Sequence, residues 1–268
     1  MQKILGQVRR CVEDYHMIDA GDVVAVGVSG GKDSLVTLTA LARLRAFYPI
    51  PFTVRAITLE TGAPGMSFDA VADLCRQLEV PYTRIQVPVY DIVFNERKEK
   101  NPCSLCAKLR RGSLSTALTD LGIRKIALGH HYDDAVATAL MSLFYGGQFK
   151  TMMPKVKSDN WAGMELIRPL FLVREEHIIA WQHEQGLECL RCACRVTSSE
   201  DGGKRKYIRD LIEKLSVDNP KLKNNIFAAL SAVDLDTVLG YRAVGADSIT
   251  PFTQDYAAPQ RQEPEVKA

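Results

Sequence analysis

The sequence predicts an α/β protein, a doubly wound and mostly parallel sheet with a small helical C-terminal extension. Three observations carry that expectation. Short apolar, β-branched runs alternate with stretches of helical periodicity through the first 200 residues. Those runs, such as Val23–Val28 (VVAVGV), are apolar without alternation, the pattern of strands buried on both faces. A content of 46% hydrophobic and 25% charged residues over 268 positions is ordinary for a globular chain. It excludes a disordered chain, a collagen-like repeat and a disulfide miniprotein.

The elements follow in order. Val23–Val28 is bounded by Gly21-Asp22 and by Ser29-Gly30-Gly31, and Ser34–Phe47 carries Leu35, Leu38, Leu41 and Ala42 at helical spacing. Beyond Pro49 and Pro51, Thr53–Leu59 reads as a strand, Phe68–Leu78 as a helix and Tyr82–Val87 as a third strand. Ser113–Leu121 is helical, Lys125–Leu128 a fourth buried strand and Asp133–Phe144 a helix ended by Gly146-Gly147. Glu165–Arg168 is a short strand before Pro169, and the helix Arg174–Gln185 stops at Gly186, a natural C′ position. Two amphipathic segments, Tyr207–Leu215 and Asn224–Leu239, follow a polar stretch.

Residues 1–200 are read as one domain, 201–249 as the helical extension and 250–268, rich in Pro, Gln and charge, as a disordered tail. No apolar run approaches the roughly 18 residues of a membrane span. The N-terminus carries charges where a signal peptide needs an apolar core. The expected compartment is the cytoplasm, with no membrane partner.

The most informative stretch is Gly27-Val28-Ser29-Gly30-Gly31-Lys32-Asp33-Ser34. A glycine-rich turn between a buried strand and a helix lets backbone N–H groups approach an anion. The helix N-terminus adds partial positive charge and Lys32 a full one. The string lacks both the GxxxxGK[ST] and the GxGxxG spacings.

Seven cysteines in a chain of this kind suggest metal or redox chemistry more than staples. Five fall in two clusters: Cys103 and Cys106, then Cys189, Cys192 and Cys194. Two C-x-x-C pairs suit a four-cysteine zinc site or an iron–sulfur cluster. Cys11 and Cys75 lie in helical patterns as inert core residues. Gly129-His130-His131-Tyr132-Asp133-Asp134 follows the fourth strand at the edge where open α/β sheets bind ligands. Gly129 permits close approach of a nucleotide, and a carboxylate here can help hold Mg²⁺. Asp133 reads equally as a helix cap, and His131 as a surface residue.

The net charge of +2, from 34 basic and 32 acidic residues, decides nothing about partners. Its distribution says more. Arg97, Lys98, Lys100, Lys108, Arg110 and Arg111 surround the first cysteine pair, and Arg191, Arg195, Lys204, Arg205, Lys206 and Arg209 the second. Such patches suit a phosphate backbone.

The string Ser29–Ser34 resembles the SGGxDS motif of the PP-loop ATP pyrophosphatase superfamily. With CSLCAKLRRG, KIALGHHYDDAVATALMSLFYGG and IRPL before a further cysteine pair, residues from about 20 to 195 resemble the tRNA 2-thiocytidine biosynthesis family. The resemblance implies that Ser29, Gly30, Gly31, Lys32, Asp33 and Ser34 cradle the pyrophosphate of ATP, with Lys32 and Asp33 catalytic. It places Ile57 near the adenine and Gly129, His130 and Asp134 on the nucleotide. It implies a [4Fe–4S] cluster with an open fourth iron, held by Cys103, Cys106 and one of the second cluster, Cys189 before Cys192 or Cys194. The crowded string CLRCACR departs from the family pattern. The implied activity is ATP-dependent thiolation of cytidine at position 32 of the tRNA anticodon loop, with Mg²⁺. The expected partners are tRNA, a sulfur donor (cysteine desulfurase or sulfide) and a second copy of the chain. A PP-loop enzyme acting on tRNA uridine or on a small pyrimidine, and a non-catalytic cysteine metal module, are the alternatives.

Overall fold

Strand β1 (Val23–Gly27) is the centre of the sheet because both its faces are covered. Val24 and Val26 pack into one core and Ala25 into another, as the two-residue period of a strand requires. It pairs in parallel with β2 (Thr53–Glu60) on one side and β4 (Lys125–Ala127) on the other. Outside these lie β3 (Tyr82–Gln86) and β6 (Glu165–Ile167), both parallel. Strand β5 (Lys155–Lys157) pairs antiparallel with β6 at the sheet edge, giving the order β3-β2-β1-β4-β6-β5. The computed structural model describes residues 1–97, 102–158, 163–187, 189, 203–234, 237–242 and 248–251, with Cys103 described by its backbone alone.

One face of the sheet is covered by α1 (Gln2–Asp14), α2 (Lys32–Leu44), α3 (Asp69–Gln77) and α6 (Glu175–Gln185). Helix α1 buries Ile4, Val8, Cys11 and Val12, one stripe at helical spacing. Leu38 and Leu41 of α2 are fully buried, and truncating either to Ala would cost about 2–5 kcal/mol. The other face receives α4 (Pro102–Asp120) through Leu114 and Leu118. Helix α5 (Tyr132–Gly146) buries Tyr132, Val136 and Ala137 against Ile208 and Ile212 of α7 (Gly203–Asp218). Glycines 147 and 186 close α5 and α6 in the left-handed conformation, as the sequence predicts.

Two sequence expectations need correction. The helix expected over Ser113–Leu121 begins at Pro102, so the first cysteine pair lies within it. Pro is pre-set for the first helical turn, and Leu105, Lys108, Leu109 and Arg110 are strong helix formers. The segment Asn224–Leu239 yields only α8 (Leu222–Ala229), where the Ser231 and Ala232 N–H groups bond back three residues to the Ala228 and Ala229 carbonyls and tighten the chain into turns.

The described chain divides into two compact units, Met1–Phe227 and Ala228–Ala268. In the second, β7 (Gly240–Tyr241) pairs antiparallel with β8 (Thr250–Pro251), two residues whose composition reads as tail. No helix among the described residues is long and apolar enough to cross a membrane.

Candidate active site

Strand order reverses at β1 and β4: the chain runs out from β1 to β2 and β3 one way, and from β4 to β6 the other. Ligands in open α/β sheets bind at such a point, at the carboxyl ends of the strands. The two loops leaving it are the glycine loop after β1 and Leu128-Gly129-His130 after β4. A cleft of about 530 Å³ opens between them. Its floor is Gly27, Ser29, Gly31, Asp33 and Ser34, and Leu128, Gly129, His130 and Asp134 form one side. Leu59 of β2 and Ala107, Arg110, Arg111 and Leu114 of α4 form the other.

The loop is held by its own serines. Ser34 Oγ donates to the Gly31 carbonyl at 2.8 Å and accepts from the Ser29 N–H at 3.2 Å. Thr58 Oγ1 ties the Val28 carbonyl to β2 at 2.7 Å. Gly30 has φ +79, a conformation that L side chains rarely adopt. Gly129 is required by contact: a Cβ there would meet the Asp33 carbonyl carbon at 2.8 Å. The loop after β4 therefore lies directly on the first turn of α2.

Beside the loop is a ring of alternating charges. Lys32 Nζ donates to Asp33 Oδ1 at 2.9 Å and to Glu175 Oε1 at 2.7 Å. Arg209 of α7 bridges Glu175 Oε2 at 3.2 Å and Asp134 Oδ1 at 2.7 Å. His131 sits inside, fully buried. Its Nε2 lies 3.5 Å from Asp134, 3.8 Å from Asp33 and 3.9 Å from Glu175, and its Nδ1 3.8 Å from Asp133. Asp133 accepts the Glu175 backbone N–H at 2.8 Å and so caps α6, while Lys223 holds its other oxygen at 3.0 Å. Asp134 accepts the His131 N–H at 3.3 Å, closing the start of its own helix.

Burial pushes the carboxyls of Asp133, Asp134 and Glu175 up. Their cationic and N–H partners outweigh it and hold all three below the ordinary range. Burial likewise lowers Lys32, but the Glu175 and Asp33 bonds prevail and raise it. His130 goes the other way: burial and then the Arg168 charge hold its imidazole below 6.5.

Of the cysteine-bearing segments, α4 borders this cleft, though no cysteine is among its lining residues. Cys106 occupies α4 next to Ala107, and Cys103 lies one turn before Ala107 on the same helix. Cys189 follows α6, partly buried, and lies close enough to Lys32 and Asp33 to feel both charges. Burial pushes its thiol up, against the pull of Lys32. Cys192 and Cys194 lie outside the described residues. Cys11 and Cys75 are buried, with thiols pushed up to about 12 and about 11, the inert core residues expected.

Most of the residues expected at the site line the cleft, but not all. Ile57 does not: it packs in the core with Ala25, Leu118 and Ile126, because its side of β2 faces α4 below the cleft, and Leu59 takes the wall. Gly30 is not among the lining residues and shapes the loop through its positive φ. Lys32 turns from the cleft wall toward Glu175. His131 is no surface residue, and Asp133 caps a neighbouring helix rather than its own. Glu175 and Arg209 escaped sequence reasoning as members of the site. The one available signal was the charge of the second basic cluster. Arg205 and Arg209 of that cluster are paired with Asp134.

Loop, switch point and cleft together define a PP-loop α/β protein. The family model of the PP-loop domain matches residues 3–214. The tRNA-cytidine(32) 2-sulfurtransferase of Anaeromyxobacter dehalogenans (strain 2CP-C) is 37% identical over 233 residues, 87% of this chain and 79% of that protein. The tRNA-cytidine(32) 2-sulfurtransferase of Coxiella burnetii (strain Dugway 5J108-111) is 38% identical over 237 residues, 87% of this chain and 90% of that one. This chain belongs to the PP-loop family and, within it, to the tRNA-cytidine(32) 2-sulfurtransferase group. The U34-tRNA thiolase NcsA from Methanococcus maripaludis, solved with its [4Fe-4S] cluster, shares the fold: TM-score 0.67 over 89% of this chain and 81% of that one, at 22% identity.

Proposed function

We propose that this enzyme is an ATP-dependent tRNA sulfurtransferase that replaces the C2 oxygen of cytidine 32 in the anticodon loop by sulfur. One observation carries the reading. The helix that carries Cys103 and Cys106 in its first turns contributes Ala107, Arg110, Arg111 and Leu114 to the wall of the cleft whose floor is the anion-binding loop, which brings the cysteine pair's helix and the nucleotide loop to one cleft. The names of the relatives supply the substrate.

In this reading the N–H groups of Gly30 and Gly31 and the Lys32 ammonium bind the β- and γ-phosphates. The cytidine C2 oxygen attacks the α-phosphorus, and pyrophosphate leaves. Sulfur at the sulfide level then adds at C2 and AMP departs with the oxygen; it comes as sulfide itself, or as a desulfurase persulfide once a second thiol has reduced it and been oxidised to the disulfide. Arg110 and Arg111, opposite the loop, stabilise charge on the phosphates. The donor chemistry fits an iron–sulfur cluster: α4 carries cysteines at i and i+3, and a further cysteine, Cys189, follows α6. Cys103, Cys106 and Cys189 would hold a [4Fe–4S] cluster, which supplies sulfur in nucleophilic form at neutral pH. Among the described residues no group of three His, Cys, Asp or Glu is placed to hold a metal ion. Mg²⁺ would enter with the phosphates, with Asp33 and Asp134 as the carboxylates that line the cleft.

The test is turnover. The enzyme is expected to form AMP and pyrophosphate from ATP in the presence of tRNA, and Lys32→Ala to lose this while keeping its iron. An unchanged rate in Lys32→Ala would make the loop a structural turn.

A further inference from the structure

The C-terminal end of α5 carries a surface that the reaction does not use. Leu143–Met153 contains no carboxylate and one cation, Lys150. Phe144, Tyr145 and Phe149 are 54%, 46% and 49% exposed. Three large rings this open on one short segment are unusual on a soluble surface. The Lys204 ammonium of α7 lies over the Tyr145 ring, 4.7 Å from its centre.

We propose that this patch is a stacking platform for the unpaired nucleotides of the RNA whose cytidine enters the cleft. The inference rests on the reading of tRNA as substrate and adds where the loop is held. Charge and chemistry favour RNA over protein. Interfaces between proteins are depleted in lysine, whereas single-stranded nucleic acid is bound by aromatic faces interleaved with cations. The patch also connects to the site. Arg205, the chain neighbour of Lys204, reaches Asp134 in the cleft wall at 3.3 Å. From Asp134 to Tyr145 is eleven residues along α5, about 17 Å at the rise of a helix. A few nucleotides of extended single strand cover that span.

The test measures binding of an anticodon stem-loop RNA at several salt concentrations. Phe144→Ala/Phe149→Ala is expected to weaken binding at least tenfold, with ATP binding in the absence of RNA unchanged. The salt slope should stay as in the wild type, because no phosphate contact is lost. Phe144→Tyr/Phe149→Tyr should restore affinity, since the ring faces return. Lys150→Ala/Lys204→Ala should instead flatten the salt slope by about one unit per lysine. Undiminished binding in the double alanine variant would overturn the inference while leaving the tRNA reading intact. If its sedimenting mass also halved, the patch would belong to an interface with a second copy. A wild-type chain that binds no RNA would overturn the tRNA reading and the platform with it.

Discussion

Glu175 holds the Nζ of Lys32 at 2.7 Å, although the two are 143 residues apart in sequence. The first residue of α2 is thereby tied to the first residue of α6, and Arg209 extends the tie to α7. The lysine of the glycine loop is positioned by the sheet's far half.

Replacing Glu175 by Gln keeps the shape and removes that charge. ATP affinity is expected to fall about tenfold, with a stability loss of about 1–2 kcal/mol. That is less than for a fully buried pair, because both side chains remain about a quarter exposed. The pH sign follows from the shifts. Glu175 is held below its ordinary value, so its contribution is lost as pH falls through the folded-state value; Lys32 is raised, so its contribution is lost as pH rises through its own. The pair is intact across neutral pH. Denaturant unfolding of Glu175→Gln and wild type at pH 7 and pH 3 should show the difference shrinking at the acid end. A constant difference would contradict the assignment.

A methyl group at Gly129 should act at a distance. The new Cβ would press on Asp33 and Ser34 backbone, so the start of α2 must move. Gly129→Ala is expected to cost about 1–3 kcal/mol and to abolish ATP binding while far-ultraviolet dichroism stays native. Wild-type ATP affinity in that variant would show the two loops to be independent.

His130 sets an acid limit. Burial and then Arg168 keep its folded imidazole below 6.5, so folding favours the neutral ring. That contribution is present above the unfolded value near 6.5 and is lost as pH falls through the lower folded value. His130→Gln should flatten the fall of stability below about pH 6.5 in thermal unfolding. An unaltered profile would place the acid sensitivity elsewhere.

The sequence made the nucleotide half of the site legible, because its signal is local. VVAVGV reads as a doubly covered strand, and SGGKDS after it as a tight anion-binding turn. The partners of that turn were illegible for a physical reason. Whether His131 faces solvent or four carboxylates, and whether Glu175 meets Lys32, depend on how α5 and α6 pack, not on neighbours in the chain. Ile57 and Leu59 differ by one strand period plus the position of the sheet edge, and only the register separates core from cleft wall. The start of α4 was hidden because Cys-Ser-Leu-Cys imitates a metal turn and Gly112 interrupts the helical pattern.

The third thiol remains to be assigned by substitution. Cys103→Ala and Cys106→Ala are expected to lose iron and colour after anaerobic purification. Among Cys189, Cys192 and Cys194, Cys189 is the expected ligand because it leads the C-x-x-C shortly after α6 is stopped by Gly186. Iron counting on the three single alanine variants decides it. Full iron in Cys189→Ala with loss in Cys192→Ala or Cys194→Ala would reverse the choice, and stoichiometric zinc without iron would remove the cluster.

The central claim is thiolation of a tRNA cytidine at the cleft of Lys32 and the cysteines. Nucleoside analysis of total tRNA from a strain lacking this protein tests it most directly. The expected result is complete loss of 2-thiocytidine, restored by the wild-type chain and not by Lys32→Ala or Cys106→Ala. Unchanged 2-thiocytidine in the deletion strain, or loss of a thiolated uridine in its place, would contradict it.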